Sequence, residues 1–141
     1  MPIVEFELID DTLRRHEGVE RFVYEDTLGN ATIGVGRNIE PGGKGLSDDE
    51  ISYLLLNDVQ EVIADLRSLL PDFDTLSSRR QLALISMRFQ LGPVKFRKFE
   101  YTLDKIRARA FDLAAGGMRA SLAYKQTKSR WEELAEWIHN G

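Results

Sequence analysis

Apolar residues recur at helical spacing along most of the chain. The pattern predicts a short amphipathic helix over residues 5–15 and one long helix over residues 47–70. The apolar stripes are Phe6, Ile9 and Leu13 for the first helix, and Ile51, Leu55, Val59, Val62, Leu66 and Leu69 for the second. Ser47 and Glu50 form a capping box at the start of the long helix, and Pro71 marks its end.

Helical spacing continues through the second half of the chain. Three further stripes lie at Leu82, Ile85 and Phe89; at Phe96, Phe99, Leu103 and Ile106; and at Trp131, Leu134 and Ile138. Gly92-Pro93 is a stop signal after the first of them, and Thr127 or Ser129 is a candidate N-cap for the last. Aromatic residues at this spacing are typical of a packed core, so we expect a helical core here.

Between the first two helices the pattern changes from helix to strand. Phe22-Val23-Tyr24 and Thr32-Ile33 are short runs rich in β-branched and aromatic residues, and Gly29-Asn30 between them is a turn signal. The glycines and proline of residues 37–45 predict a loop. Helices around one small hairpin predict an α+β, mostly helical fold.

Length and composition narrow the possible functions. A chain of 141 residues is long enough for one compact domain, which two lobes can share. It contains no cysteine, and His16 and His139 are too few and too far apart to suggest a metal site. No apolar run approaches the ~20 residues of a membrane span, and the acidic start does not resemble a signal peptide.

Charge is distributed unevenly along the chain. Residues 1–70 carry 6 Lys/Arg against 15 Asp/Glu, a net charge of −9, whereas residues 71–141 carry 13 against 8, a net charge of +5. The basic half could suggest a nucleic-acid partner, but its aromatic residues lie at core spacing and the total charge is −4. We therefore expect no nucleic-acid binding.

Two carboxylates and one hydroxyl flank the predicted hairpin. Glu17 follows the first helix, and Asp26 and Thr32 stand on either side of the Gly29-Asn30 turn. Two carboxylates on separate elements, one of them near a hydroxyl that can hold a water, are the minimum needed for acid-assisted hydrolysis of a glycosidic bond. Glu17, Asp26 and Thr32 are therefore the candidate catalytic residues.

The same stretch contains the strings Glu17-Gly18, Tyr24-Glu25-Asp26-Thr27-Leu28-Gly29 and Thr32-Ile33-Gly34-Val35-Gly36. With these strings the chain resembles the phage-type lysozymes, glycoside hydrolase family twenty-four. Eight residues separate the two carboxylates and five separate Asp26 from Thr32, as in that family's catalytic triad. The resemblance covers nearly the whole chain and becomes poor from about Glu133.

Two later segments extend the resemblance. Residues 79–92 resemble the family's Arg-Arg-x-Ala-Leu-Ile-Asn-Met-x-Phe-Gln-Met-Gly string, and residues 124–130 resemble its Tyr-x-Gln-Thr-x-x-Arg string. The match implies that the substrate-binding residues are Gln90, Gln126, Thr127 and Arg130. Two positions depart from the family: Arg37 replaces a frequent His, and Ser86 replaces an Asn. We keep Arg37 out of the catalytic set.

The resemblance implies a lysozyme-like fold in one domain, residues 1–141. A small lobe of about residues 16–46 would carry the hairpin, and a connecting helix of about residues 47–70 would join it to a helical lobe of about residues 71–141. The N-terminal helix would belong to the helical lobe.

The resemblance also implies a peptidoglycan hydrolase, a muramidase that cleaves the β-1,4 bond between N-acetylmuramic acid and N-acetylglucosamine. Glu17 would be the general acid, and Asp26 would stabilise the developing cation and, with Thr32, position the attacking water. We expect inversion of configuration, a monomer and no cofactor. The partner would be the glycan strand of peptidoglycan, without insertion into a membrane.

Host-cell lysis is the role that follows from this resemblance. The protein would be made in the host cytoplasm without a signal peptide, and it would act on peptidoglycan in the periplasm or cell wall. A holin would be needed for its export.

Two other functions fit part of the pattern. A lytic transglycosylase also needs the acidic Glu, but it releases a 1,6-anhydro sugar and has no use for Asp26 and Thr32. A peptidoglycan-binding module without catalysis would be favoured by loss of a triad residue, and all three are present.

Overall fold

A computed structural model of the protein describes residues 4–141. These residues form two compact units, one extending to Ile51 and the other spanning Ser52–Gly141. The long helix α2, Asp48–Leu69, begins in the first unit and continues in the second. The assignment of the N-terminal helix to the helical lobe stays a prediction.

The first unit consists of helix α1, Phe6–Glu17, followed by a three-stranded antiparallel sheet. The strands are β1, Glu20–Glu25; β2, Ala31–Gly34; and β3, Arg37–Asn38, in the order β1-β2-β3. Tyr24 pairs with Thr32 across the first two strands, and Ile33 pairs with Arg37 across the last two. The predicted hairpin is confirmed.

Strand β3 lies where the sequence predicted only a loop, so that prediction was wrong for residues 37–38. The strand is two residues long, too short for alternation of polar and apolar side chains to be visible in the sequence. A side chain extends this edge of the sheet, because Glu40 Oε1 accepts a hydrogen bond from the Ala31 N–H at 2.5 Å. The Ile39 N–H donates to the Ala31 carbonyl at 2.9 Å.

Helix α2 begins as its capping box predicts. The Ser47 N–H donates to Glu50 Oε1 at 2.9 Å, and the Glu50 N–H donates to Ser47 Oγ at 3.2 Å. The predicted stripe is only partly buried: Val62 and Leu66 belong to the core, whereas Ile51 and Leu55 are each 50% exposed. The C-terminal half of this helix therefore carries its core contacts.

The second unit contains the remaining helices of the described chain. A short 3-10 helix, Phe73–Thr75, precedes α3, Ser78–Arg97; α4, Glu100–Arg107; α5, Phe111–Arg119; α6, Leu122–Gln126; and α7, Lys128–Asn140. The backbone leaves helical geometry at Gly92, which divides α3 where the sequence predicted a stop. Helix α5 packs against α4 and α7, and α3 packs against α7.

The core of the second unit follows the predicted stripes with some gaps. Its largest fully buried side chains are Trp131, Phe96, Leu66, Leu84, Met87, Met118 and Ile138. Leu82 and Phe89, which the sequence placed on a core face, are about half exposed (52% and 45%). Phe99 is partly buried and stacks on Trp131 with 5.6 Å between the ring centroids.

Two polar clusters join helices within the second unit. The guanidinium of Arg88, a buried residue of α3, donates to the Asp65 carboxylate of α2 at 2.6 Å, and Arg97 pairs with the same carboxylate. The carboxylate of Glu132 in α7 accepts two hydrogen bonds from Arg119 of α5, at 2.9 and 3.0 Å. The Tyr124 hydroxyl of α6 donates to Glu132 at 2.8 Å, so three helices meet at one carboxylate.

The predicted fold class is confirmed, because the structure is 67% helical with one small antiparallel sheet. Within residues 4–141, none of the helices combines the length and the apolar character needed to cross a membrane.

Candidate active site

Glu17 is the last residue of α1, and its side chain is exposed. The turn between β2 and β3 lies against it. A Cβ atom built on Gly36 would stand 3.0 Å from Glu17 Oε2 and 3.3 Å from its carboxyl carbon. The absence of a side chain at Gly36 thus leaves room for the Glu17 carboxylate beside the sheet. The structure brings this predicted residue to the hairpin within the first unit.

Asp26 opens the turn between β1 and β2, and its carboxylate is held by the turn's own backbone. Oδ1 accepts hydrogen bonds from the N–H groups of Leu28 at 2.9 Å and Asn30 at 2.8 Å. The Asn30 side-chain amide lies 3.4 Å from Oδ2. The hydrogen bond from the Asn30 N–H is the largest cause of a lowered pKa at Asp26, and burial, the next largest, acts in the opposite direction. The Leu28 N–H and the Asn30 side chain add to the lowering, so the ionised carboxylate is favoured.

Thr32 lies on β2 and is buried, with 3% of its surface exposed. Its hydroxyl donates to the Asn30 carbonyl oxygen at 2.9 Å. Because the hydroxyl proton is engaged in this way, the lone pairs of Oγ1 remain able to accept hydrogen bonds. Thr32 pairs with Tyr24 across the two strands, which places its hydroxyl next to the turn that begins at Asp26.

Asn30 links these two residues, and the sequence revealed it only as part of a turn. Its carbonyl oxygen also accepts a hydrogen bond from the Asp26 N–H at 2.9 Å. Asn30 therefore contacts Asp26 through its N–H, its carbonyl and its side chain, and Thr32 through its carbonyl. No spacing rule could have predicted these contacts, because they depend on the conformation of the turn.

Arg37 replaces the frequent family His, and the structure gives it a partner. Its guanidinium pairs with the Glu50 carboxylate at 2.8 Å, which joins β3 to the first turn of α2. The pKa of Glu50 is lowered, chiefly by the hydrogen bond from the Ser47 N–H, with a smaller contribution from Arg37. Arg37 thus fixes the strand that follows Gly36.

The four predicted substrate-binding residues all lie in the second unit. Gln90 Oε1 accepts a hydrogen bond from Trp131 Nε1 at 3.0 Å, and Arg130 donates to Ser86 Oγ at 3.1 Å. The Ser that replaces the family Asn therefore still makes a hydrogen bond. Gln126 is exposed at the end of α6. The substrate-binding role of these residues stays a prediction.

Thr127 occupies the N-cap position of α7, as predicted, but its hydroxyl does not cap the helix. The hydroxyl donates backwards to the Ala123 carbonyl at 3.2 Å, across the end of α6. Ser129 lies inside α7, so the alternative that it caps the helix was wrong. Thr127 is the single residue between α6 and α7, and its side chain bonds to the end of α6 instead of the start of α7.

No group of three His, Cys, Asp or Glu side chains in the described residues is arranged to hold a metal ion. The chemistry available at the hairpin is that of its own side chains. One carboxyl group stands beside Gly36, a second carboxylate is kept ionised by the turn, and a hydroxyl oxygen is able to accept hydrogen bonds. These groups can supply a proton and hold a water molecule.

Comparison with known proteins identifies similar chains. The model of the phage lysozyme family matches residues 14–138. The pre-baseplate central spike protein Gp5 of Enterobacteria phage T4 is 30% identical over 93% of this chain, which corresponds to 27% of Gp5. The probable T4-type lysozyme 2 of Dictyostelium discoideum is 28% identical over 94% of each chain. This chain thus spans about a quarter of the spike protein and nearly all of the other relative.

Proposed function

The chain belongs to the phage lysozyme family, and from this premise we propose that it is a muramidase. Peptidoglycan hydrolysis is the activity that the family supports. The proposed reaction cleaves the β-1,4 bond between N-acetylmuramic acid and N-acetylglucosamine. The glycan strand of peptidoglycan is the substrate, and the reaction uses no cofactor.

Glu17 is the proposed general acid. Its exposed carboxyl group can reach the leaving oxygen of a bound glycan and transfer a proton to it as the glycosidic bond breaks. Gly36 supports this role, because a Cβ atom at this position would stand 3.0 Å from Glu17 Oε2 and crowd the carboxyl group. Glu17 is thus positioned by the end of α1 and by the turn between β2 and β3.

Asp26 and Thr32 are proposed to hold the water that attacks the sugar. Two backbone N–H groups donate to Asp26 Oδ1, which leaves Oδ2 to accept a hydrogen bond from the water. The Thr32 hydroxyl donates a hydrogen bond to the Asn30 carbonyl oxygen, so its own oxygen can accept the second hydrogen bond from the water. A water held in this way presents a lone pair to the anomeric carbon, and as the new C–O bond forms the water passes a proton to Asp26 Oδ2 while Glu17 protonates the leaving oxygen.

This attack by a held water predicts inversion of configuration. The observation that supports it best is the saturation of Asp26 Oδ1 together with the fixed donor role of the Thr32 hydroxyl. The two oxygens assigned to the water, Asp26 Oδ2 and Thr32 Oγ1, can each accept a hydrogen bond from it, and the Asn30 side-chain amide is the other group that contacts Oδ2. A direct attack by Asp26 would require no such hydroxyl.

The proposed biological role is host-cell lysis, with export through a holin and action on the periplasmic or cell-wall peptidoglycan. The protein is proposed to act as a monomer. The two relatives differ in length: one is a much longer spike protein, and the other has about the same length as this chain. A lysozyme domain within a longer protein would use the same reaction.

Clearing of chloroform-treated Gram-negative cells tests the proposal. Wild-type protein should reduce the turbidity, whereas Glu17→Gln should retain the fold and lose clearing, because an amide cannot transfer the proton. The matched control is Glu7→Gln, another exposed carboxylate of α1. If Glu17→Gln kept more than about a tenth of the wild-type kcat, a barrier change below ~1.4 kcal/mol, the assignment of the acid would be wrong.

The products distinguish this reaction from its alternatives. Hydrolysis adds one water, and a held water should give the α-anomer first, which proton NMR detects. A β-anomer would indicate a covalent route through Asp26. An anhydro product, lighter by one water, would identify a lytic transglycosylase, and binding without any product would identify a peptidoglycan-binding module.

A further inference from the structure

Asn30 contacts both residues that are proposed to hold the attacking water. Its N–H donates to Asp26 Oδ1 at 2.8 Å, and its carbonyl oxygen accepts from the Thr32 hydroxyl at 2.9 Å. Any residue except proline could make these backbone contacts. The side-chain amide, 3.4 Å from Asp26 Oδ2, is the contact that requires asparagine.

The conformation of the turn does not by itself explain an asparagine here. Asparagine is common in turns because it tolerates a positive φ, but that position is occupied by Gly29, with φ +81°. Among the described residues Arg109 is the non-glycine residue with positive φ, so Asn30 has an ordinary backbone conformation. The backbone conformation therefore does not require asparagine at this position, and the half-buried side chain can have a separate role.

The contact is made to the oxygen of Asp26 that the reaction needs. Oδ1 already has two backbone donors, so Oδ2 is the oxygen left for the water. A donor on one side of Oδ2 fixes the carboxylate plane and leaves the remaining lone pair to point in one direction. At 3.4 Å the hydrogen bond is long, as catalytic hydrogen bonds often are before substrate binds.

We propose that Asn30 is a positioning residue whose side-chain amide orients Asp26 Oδ2 toward the attacking water. The inference rests on the proposed muramidase reaction for its kinetic consequence, but the contact with the Asp26 carboxylate does not depend on any activity. Two other carboxylates belong to this neighbourhood: Glu25 precedes Asp26 on β1 and pairs with Ala31, and Glu40 Oε1 accepts a hydrogen bond from the Ala31 N–H.

The test uses Asn30→Ala and Asn30→Asp in the full chain. Alanine removes the donor and keeps the backbone contacts, whereas aspartate keeps the shape and places a negative charge beside Asp26. Carbon NMR titration of the Asp26 carboxyl should give a higher pKa in both variants, by roughly one unit or more for Asn30→Asp, because like charges disfavour ionisation. Thr27→Ala, in the same turn, should leave this titration unchanged.

Kinetics test the positioning role separately. We expect kcat to fall about tenfold in Asn30→Ala with little change in KM, and the acid limb of the kcat profile to move to higher pH. Asn30→Asp should show a larger shift of that limb. Equal thermal stability of the Ala variant and wild type would separate these effects from loss of fold. If the Ala variant does not fold, Asn30→Leu, which has a similar shape without a donor or a charge, supplies both measurements.

The outcomes distinguish this inference from the proposed function. An unchanged Asp26 titration and an unchanged acid limb in the variant that removes the donor without adding a charge would overturn the positioning role, even if the wild type is an active muramidase and Asn30→Asp shifts the titration through its charge. Conversely, an inactive wild type would overturn the proposed function, and the NMR titration would still show whether the Asn30 amide acts on Asp26.

Discussion

At the scale of single residues, the contact between Gly36 and Glu17 is open to a direct test. Gly36 has φ +66°, and a Cβ atom there would meet Glu17 Oε2 at 3.0 Å. We expect Gly36→Ala to displace the Glu17 carboxyl group and to lower kcat by about tenfold or more, because a general acid loses efficiency when it is misplaced by ~1 Å. Clearing rates and initial product release measure this effect.

Gly34→Ala is the matched control for that substitution. Gly34 has φ +69°, almost the same backbone conformation, but nothing lies within 4 Å of the Cβ position. Both variants should lose about 1–2 kcal/mol of folding stability from the left-handed conformation, while only the change at Gly36 should reduce kcat. Equal activity losses in the two variants would show that strain in the turn, and not contact with Glu17, is responsible.

At the scale of secondary-structure elements, the carboxylate of Glu132 joins α5, α6 and α7. Hydrogen bonds from Arg119 and then from Tyr124 lower the pKa of Glu132 from 4.5 to about 2. Since the folded pKa is below the unfolded value, the contribution to stability is present above about pH 4.5 and is lost as the pH falls through about 2.

Thermal unfolding as a function of pH measures this contribution. Glu132→Gln should melt below wild type at pH 7, and the difference should shrink from about pH 4.5 downward and vanish near pH 2. Glu133→Gln, a change at the exposed neighbouring residue, should follow the wild-type curve. A gap of constant size at every pH would mean that Glu132 contributes by packing and not by its charge.

Sequence patterns predicted the long elements well and the short ones poorly. The capping box of Ser47 and Glu50 specifies where α2 begins, because the signal is local and each partner is within one helical turn. Strand β3 has two residues, and its pairing to β2 is a tertiary contact that no local pattern encodes. The apolar stripe of α2 likewise predicted the helix, but it did not predict which half of the helix is buried.

The candidate site shows the same limit. The spacing of Glu17, Asp26 and Thr32 identified them as a group, and the structure gathers them around the hairpin. The contacts that set their chemistry, however, come from Asn30 and Gly36, which the sequence marked only as parts of a turn and a motif. Such contacts depend on backbone geometry, and spacing alone contains no information about which oxygen of a carboxylate is occupied.

At the scale of the whole molecule, the two units differ in charge. Residues 1–51 carry 5 Lys/Arg against 12 Asp/Glu, a net charge of −7, and residues 52–141 carry 14 against 11, a net charge of +3. Peptidoglycan is anionic through its peptide carboxylates. The molecule as a whole should therefore be repelled from the wall at long range, while the basic side chains Lys125, Lys128 and Arg130 attract it locally.

Salt should accordingly act in two regimes. Below about 0.1 M, where the Debye length exceeds ~10 Å, added NaCl should increase the clearing rate by screening the overall repulsion; above it, the rate should fall slowly as local contacts are screened. Clearing rates from about 10 to 500 mM NaCl test this. A steep fall in the clearing rate from the lowest salt would show that the basic unit dominates. With peptidoglycan whose carboxyl groups are amidated, the increase in clearing rate at low salt should disappear.

The side chain of Asn30 also has a consequence for how the protein is produced. Asn30-Ala31-Thr32 matches the Asn-x-Ser/Thr pattern that marks acceptor asparagines in the eukaryotic secretory pathway. A glycan attached there would use Nδ2, the nitrogen that lies 3.4 Å from Asp26 Oδ2, and would cover the turn. Protein secreted from yeast should therefore be heavier by a glycan and inactive, as mass spectrometry and clearing assays would show, whereas protein from the bacterial cytoplasm keeps the free amide. The expression host thus decides whether the turn at Asp26 is open or blocked.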